Sequence, residues 1–141
     1  MHLNPITVLI VDDHEAIREA LRALLSAEPD ITVVGEAGNG HQAVAFASKL
    51  VPGVVIMDIA MPLLNGLDAI QRIRECTPAS TKVLVLSTHR EEAYIRHAEA
   101  MGASGYLIKQ SDTHALVAAI RAVHSGQPFY CPAELTPAPS L

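Results

Sequence analysis

Four apolar runs along the chain each end on polar side chains. Ile6-Thr7-Val8-Leu9-Ile10-Val11 stops at Asp12-Asp13, and Val54-Val55-Ile56-Met57 stops at Asp58. Val83-Leu84-Val85-Leu86 stops at Ser87-Thr88, and Gly105-Tyr106-Leu107-Ile108 stops at Lys109. Short runs of this kind read as strands buried on both faces. Between them the period becomes helical: Ile17, Leu21, Leu24 and Leu25 share one face. The pattern predicts strands over 6–11, 31–36, 54–58, 82–87 and 104–108. It predicts helices over 14–27, 40–50, 65–75, 90–101 and 111–124. Breakers fall where the elements should change: Pro29, Gly38-Asn39-Gly40, Pro52-Gly53 and Thr77-Pro78. Asn39 is a candidate N-cap, Gly102 a helix stop, and Ser111 or Asp112 the cap of the last helix. The fourth helix has a thin apolar face, Tyr94, Ala98 and Met101. The fifth turns Leu116, Ile120 and Val123 inward.

Strict alternation of strand and helix predicts an α/β fold, (βα)5, with a doubly wound parallel sheet and helices on both faces. In such a sheet the carboxyl ends of the strands lie along one edge, and ligands bind there. After Gly126 the composition changes. Four of the nine prolines fall between Pro128 and Pro139, and helical periodicity ends. Residues 1–125 are therefore expected to form one domain and 126–141 a linker or tail.

Length and charge narrow the function. A chain of 141 residues fits one domain with a core of its own. A net charge of −5 argues against DNA binding by this chain alone. No apolar stretch reaches the roughly 18 residues of a membrane span, and the start lacks a secretory pattern. Cys76 and Cys131 have no metal-ligand spacing and read as reduced thiols, so a cytoplasmic location is expected.

The chemistry lies at the strand ends. Asp12, Asp13 and Asp58 would repel one another, and a divalent cation relieves that repulsion. Mg²⁺ takes oxygen ligands in octahedral geometry and keeps several waters, so one or two carboxylates plus a carbonyl suffice. Carboxylates, a hydroxyl and an ammonium together also suit a phosphoryl group. A single strand-end Asp is usually a cap or a solvated turn; the same edge gathering Asp12, Asp13, Asp58, Ser87 and Lys109 is not explained that way. The seven histidines are scattered without ligand spacing and read as surface residues, His14 as a helix-start residue. Gly38-Asn39-Gly40 lacks the lysine–hydroxyl pair of a phosphate cradle. A haloacid-dehalogenase phosphatase would need Asp-x-Asp after the first strand, but here the acids are adjacent. A flavodoxin would carry a hydroxyl-rich loop there instead of acids.

Val11-Asp12-Asp13-His14, Met57-Asp58-Ile59-Ala60-Met61-Pro62, Asn65-Gly66, Leu86-Ser87 and Leu107-Ile108-Lys109 form a specific set. Across about residues 5–125 the chain resembles the receiver domain of bacterial two-component response regulators, NarL/FixJ (LuxR-type) class. The resemblance implies a CheY-like, flavodoxin-like sheet of order 2-1-3-4-5. It implies Asp58 as phosphoacceptor and Asp13 as direct ligand of Mg²⁺ or Mn²⁺. Asp12 would hold a metal-bound water, and Asp58 and the carbonyl of Ala60 would complete the shell. Ser87 would hydrogen-bond the phosphoryl group and Lys109 pair with its charge, while Ser87 and Tyr106 would be the switch pair. The acyl phosphate formed would hydrolyse spontaneously and make a reversible signal.

By the same resemblance the chain is not an enzyme with a separate substrate. It is a phosphoacceptor that assists its own phosphorylation and dephosphorylation. Its partner would be a sensor histidine kinase, and phosphorylation would favour a homodimer. Helix 1, with Arg18, Glu19 and Arg22, and helix 5, with Arg121, offer faces for it, and the helix 4–helix 5 face is the alternative. Output would be transcription through a helix-turn-helix domain that is not expected within these residues. Leu135-Thr136-Pro137 faintly resembles the start of one, but Ala138-Pro139 replaces the expected Arg-Glu. The alternative is a degenerate receiver that takes no phosphate and serves as an interaction module. Gln110 stands where many receivers have proline, a proline that the NarL/FixJ class often lacks. Thr88 stands where a smaller residue is common and is expected to narrow the pocket. His89 and Ala60, two past Ser87 and Asp58, occupy positions that tune hydrolysis in that family.

Overall fold

Alternation along each strand sends one set of side chains to either side of the sheet. The computed structural model describes residues 4–59, 66–109 and 113–131. Its elements run β1 (Ile6–Val11), α1 (Glu15–Ser26), β2 (Ile31–Ala37), α2 (Gly40–Leu50), β3 (Val54–Met57) and α3 (Gly66–Cys76). They continue with β4 (Lys82–Ser87), α4 (Glu92–Met101), β5 (Gly105–Ile108), α5 (Thr113–His124) and β6 (Phe129–Cys131). All strand pairs are parallel, in the order β2-β1-β3-β4-β5-β6. Leu9, Val11, Val55, Met57, Val83, Val85 and Tyr106 face one core, closed by Ala43 and Ala47 of α2, Ile70 and Ile73 of α3, and Ile95 of α4. Val8, Ile10, Ile56, Leu84 and Leu107 face the other, closed by Leu25 of α1 and by Leu116, Ile120 and Val123 of α5.

The five-strand order expected from the sequence stands. Asn39 caps α2, its side chain accepting from the Gln42 N–H at 2.9 Å. Gly102 ends α4 in the left-handed region at φ 114°. The proposed caps Ser111 and Asp112 lie outside the described residues. In α1 only Leu25 of the expected face is fully buried, since the helix covers the sheet near its β2 edge. In α4 the buried pair is Ile95 and Ala98. Tyr94, expected inward, is 37% exposed and stacks on the His89 ring instead, centroids 4.2 Å apart.

The sixth strand is a correction to the reading of everything past 125 as tail. Gly126, at φ 93°, turns the chain after α5, and the Gln127 N–H donates to the Ala122 carbonyl. Residues 129–131 then pair with β5, Gly105 opposite Phe129. A Cβ on Gly105 would sit 2.7 Å from the Phe129 carbonyl oxygen, so glycine permits the approach. Three residues behind a proline carry too little periodicity to announce a strand. What forms it is the open edge of β5.

Candidate functional site: an acidic pocket at the carboxyl edge of the sheet

Each strand-end group is held by a backbone bond that extends the sheet one residue past its strand. The Asp12 N–H donates to the Ala37 carbonyl at 3.1 Å and the Asp58 N–H to the Val11 carbonyl at 3.0 Å. The Lys109 N–H donates to the Ser87 carbonyl at 2.9 Å. Asp12, Asp58 and Ser87 are buried at 2%, 3% and 0% exposure. Lys109 reaches across them, with Nζ 3.0 Å from Asp12 Oδ2 and 3.4 Å from Asp58 Oδ2.

This ammonium keeps two buried carboxylates compatible. Burial alone would raise the Asp12 pKa, but the His14 N–H, the Lys109 ammonium and the His14 ring together bring it below the ordinary value. Burial also works against the Lys109 charge. The hydrogen bond to Asp12 and the charges of Asp58 and Asp12 outweigh it and hold the pKa above its ordinary value.

Asp13 is less enclosed, yet its Oδ1 is buried and accepts no hydrogen bond. His14 Nδ1 lies 3.0 Å from it and also 2.9 Å from Asp12 Oδ1. One nitrogen bound to Asp12 does not satisfy Asp13 as well. An orphaned carboxylate oxygen among hard donors fits a Mg²⁺ site. Asp12, Asp13, His14 and Asp58 each offer one ligand atom within 4.8 Å of the others. Ala60, Asn65 and Gln110 lie outside the described residues.

Ser87 and Tyr106 are linked through one residue. The Ser87 Oγ accepts the His89 N–H at 3.0 Å, and the Tyr106 hydroxyl donates to the His89 carbonyl at 2.8 Å. The Tyr106 ring is already enclosed, at 1% exposure. Burial raises the Tyr106 pKa, the Ser87 hydroxyl works against that, and the charges of Glu91 and Asp58 add to it. Thr88 is exposed.

Two contributors were missed in the sequence. Arg18, read as a surface residue of helix 1, donates from Nη1 to the Asp12 carbonyl at 2.5 Å and from Nε to Glu36 Oε1 at 3.2 Å. Glu36 also pairs with Arg22. The brace joins α1, β2 and the loop bearing both aspartates, and no spacing in the sequence ties position 18 to position 36. His14, read as a helix-start residue, places its ring against both carboxylates; its place directly after the Asp pair was the available signal.

A family profile described as the response regulator receiver domain matches residues 8–121. The chain belongs to the response regulator receiver domain family. This receiver is 40% identical over 129 residues to the transcriptional regulatory protein DegU of Brevibacillus brevis, covering 92% of this chain and 54% of that protein. It is 38% identical over 124 residues to the nitrate/nitrite response regulator protein NarL of Escherichia coli K12, covering 88% of this chain and 57% of that one. The receiver thus spans little more than half the length of these curated relatives. In structure it matches a LuxR-family two-component response regulator from Aurantimonas sp. SI85-9A1, with TM-score 0.86 and 32% identity. That match covers 92% of this chain and 91% of that one. It is a receiver domain of the LuxR-family response regulators.

Proposed function

We propose that Asp58 accepts a phosphoryl group from the phosphohistidine of a sensor histidine kinase and that the acyl phosphate switches an output. The observation that carries this is the buried Asp58 carboxylate at a strand end with the Lys109 ammonium 3.4 Å away. An Asp58 oxygen attacks phosphorus, the O–P bond forms, and the N–P bond breaks with its electron pair leaving on the imidazole. Such a transfer needs alignment and neutralised oxygens more than covalent help. Lys109, already reaching over both carboxylates, supplies a mobile charge for the incoming oxygens. Asp13, Asp12, Asp58 and the Ala60 carbonyl would hold Mg²⁺, which when bound would supply charge to neutralise the phosphoryl oxygens.

Ser87 would turn its hydroxyl from the His89 N–H to donate to a phosphoryl oxygen. His89 also receives the Tyr106 hydroxyl, so that turn pulls on the loop between β4 and α4. This supports Ser87 and Tyr106 as the switch pair, with Tyr106 held inward and its loop as the part that moves. The output would be control of transcription, as the names of the relatives DegU and NarL suggest for those proteins. Among the described residues no helix is long and apolar enough to cross a membrane.

Intact-mass analysis with a small phosphodonor and Mg²⁺ tests the assignment. The wild type gains one phosphate and Asp58→Asn gains none, with unchanged circular dichroism. Equal gain by the variant places the acceptor elsewhere. A wild type that gains none, from donor or kinase, leaves the interaction-module alternative standing.

A further inference from the structure

His14 does more in this structure than start a helix. Its own N–H donates to Asp12 Oδ1 at 2.9 Å, and this short turn folds the ring back over the strand end. Nδ1 then lies 2.9 Å from Asp12 Oδ1 and 3.0 Å from Asp13 Oδ1. An octahedral ion with bonds near 2.1 Å sets neighbouring ligand atoms about 3.0 Å apart. The imidazole nitrogen already has that spacing to each of the two carboxylates, and all three ligand atoms lie within 4.8 Å of one another. A hydrogen bond from Nδ1 to Asp12 explains only one of the two contacts, and Asp13 Oδ1 stays without one.

We propose that His14 ligates the pocket's divalent ion through Nδ1 when that ion accepts nitrogen. The pocket is then a mixed carboxylate–imidazole site that favours a transition-metal ion over Mg²⁺. Mg²⁺ is a hard ion suited to oxygen donors and gains little from an imidazole. First-row transition ions accept one readily, and a neutral nitrogen among carboxylates shifts the balance toward them. His14 is 62% exposed at its side chain, so the ring can turn away when the hard ion enters. The inference rests on the reading of this pocket as the receiver's metal site.

Mn²⁺ is the probe, because its electron spin reports its ligands directly. Metal-free wild type, His14→Ala and Asp13→Ala are titrated with MnCl₂ and with MgCl₂, and the Mn²⁺ forms are examined by pulsed electron paramagnetic resonance. The wild type shows nitrogen coupling to Mn²⁺, which His14→Ala loses. His14→Ala also lowers the Mn²⁺-over-Mg²⁺ preference by about tenfold, the scale of losing a well-placed partner of a bound metal. Bound Mn²⁺ without nitrogen coupling, or a preference unchanged in His14→Ala, overturns the proposal. Binding that survives Asp13→Ala at full strength means the ion lies outside the pocket and overturns the metal-site reading itself. Circular dichroism of each variant separates loss of ligand from loss of fold.

Discussion

Lys109 and Tyr106 carry the two upward pKa shifts near the pocket, and both make alkaline pH costly. The ordinary values are 10.5 for the lysine and 10.0 for the tyrosine. Each group binds its proton more tightly folded than unfolded. Its contribution is therefore complete below the ordinary value and drains away as pH rises past it toward the folded value. Urea midpoints of the metal-free protein should hold steady from pH 8 to about 10 and then fall. Tyr106→Phe removes the hydroxyl that His89 accepts. It should cost about 1 kcal/mol at neutral pH and make the alkaline fall shallower. An equally steep fall in Tyr106→Phe would mean that the phenol does not contribute. Arg18 shows the limit of reading such groups from a sequence. Glu15, Glu19 and Arg22 around it on α1 are exposed, and only the fold reveals that its guanidinium holds the carbonyl of Asp12.

The start of α3 illustrates how an element constrains the chemistry before it. A Cβ on Gly66 would run into the Ile59 Cα and the carbonyl of Asp58, and the Gly66 N–H donates to the Ile59 carbonyl at 3.3 Å. The helix therefore packs its first residue against the backbone that presents Asp58, the proposed phosphoacceptor. Gly66→Ala should destabilise by about 1–3 kcal/mol, the usual penalty of forcing carbon into a filled space. It should also slow phosphorylation by a small donor, because the Asp58 backbone must shift. Normal stability together with a normal rate would show that the loop yields freely. Asn65-Gly66 was visible in the sequence as a helix start, but the close approach was not, since it depends on where Ile59 lies in space. The strands, their ends and the Asp12, Asp13, Asp58, Ser87 and Lys109 constellation were all legible, because buried strands and strand-end polar groups leave a local mark. The α4 face was misread at Tyr94, where an aromatic at helical spacing found a stacking partner on the surface instead of a place in the core.

Pocket, loop and α4 together suggest how the molecule moves as one. Only Ile95 and Ala98 of α4 are buried, so few contacts oppose its displacement. Hydrogen exchange of the beryllofluoride-treated protein should change in α4 and in the loop before it, while the β1 and β3 amides stay protected. Change confined to residues around Asp58 would count against this path. Sedimentation of the same sample should show a modest shift toward dimer. A monomer at high concentration in both states would refute the dimer. Sequence-specific DNA binding is not expected from these residues, whose net charge is −5. The direction of β6 has a further consequence. It runs parallel to β5, so the chain emerges at Cys131 on the same edge of the sheet as Lys109. Whatever follows starts on the strand next to the one carrying Tyr106, at the sheet edge that holds the acidic pocket. A downstream module would be leashed within a few residues of the trigger, so a small tug on that strand could turn its hinge directly without crossing the body of the domain.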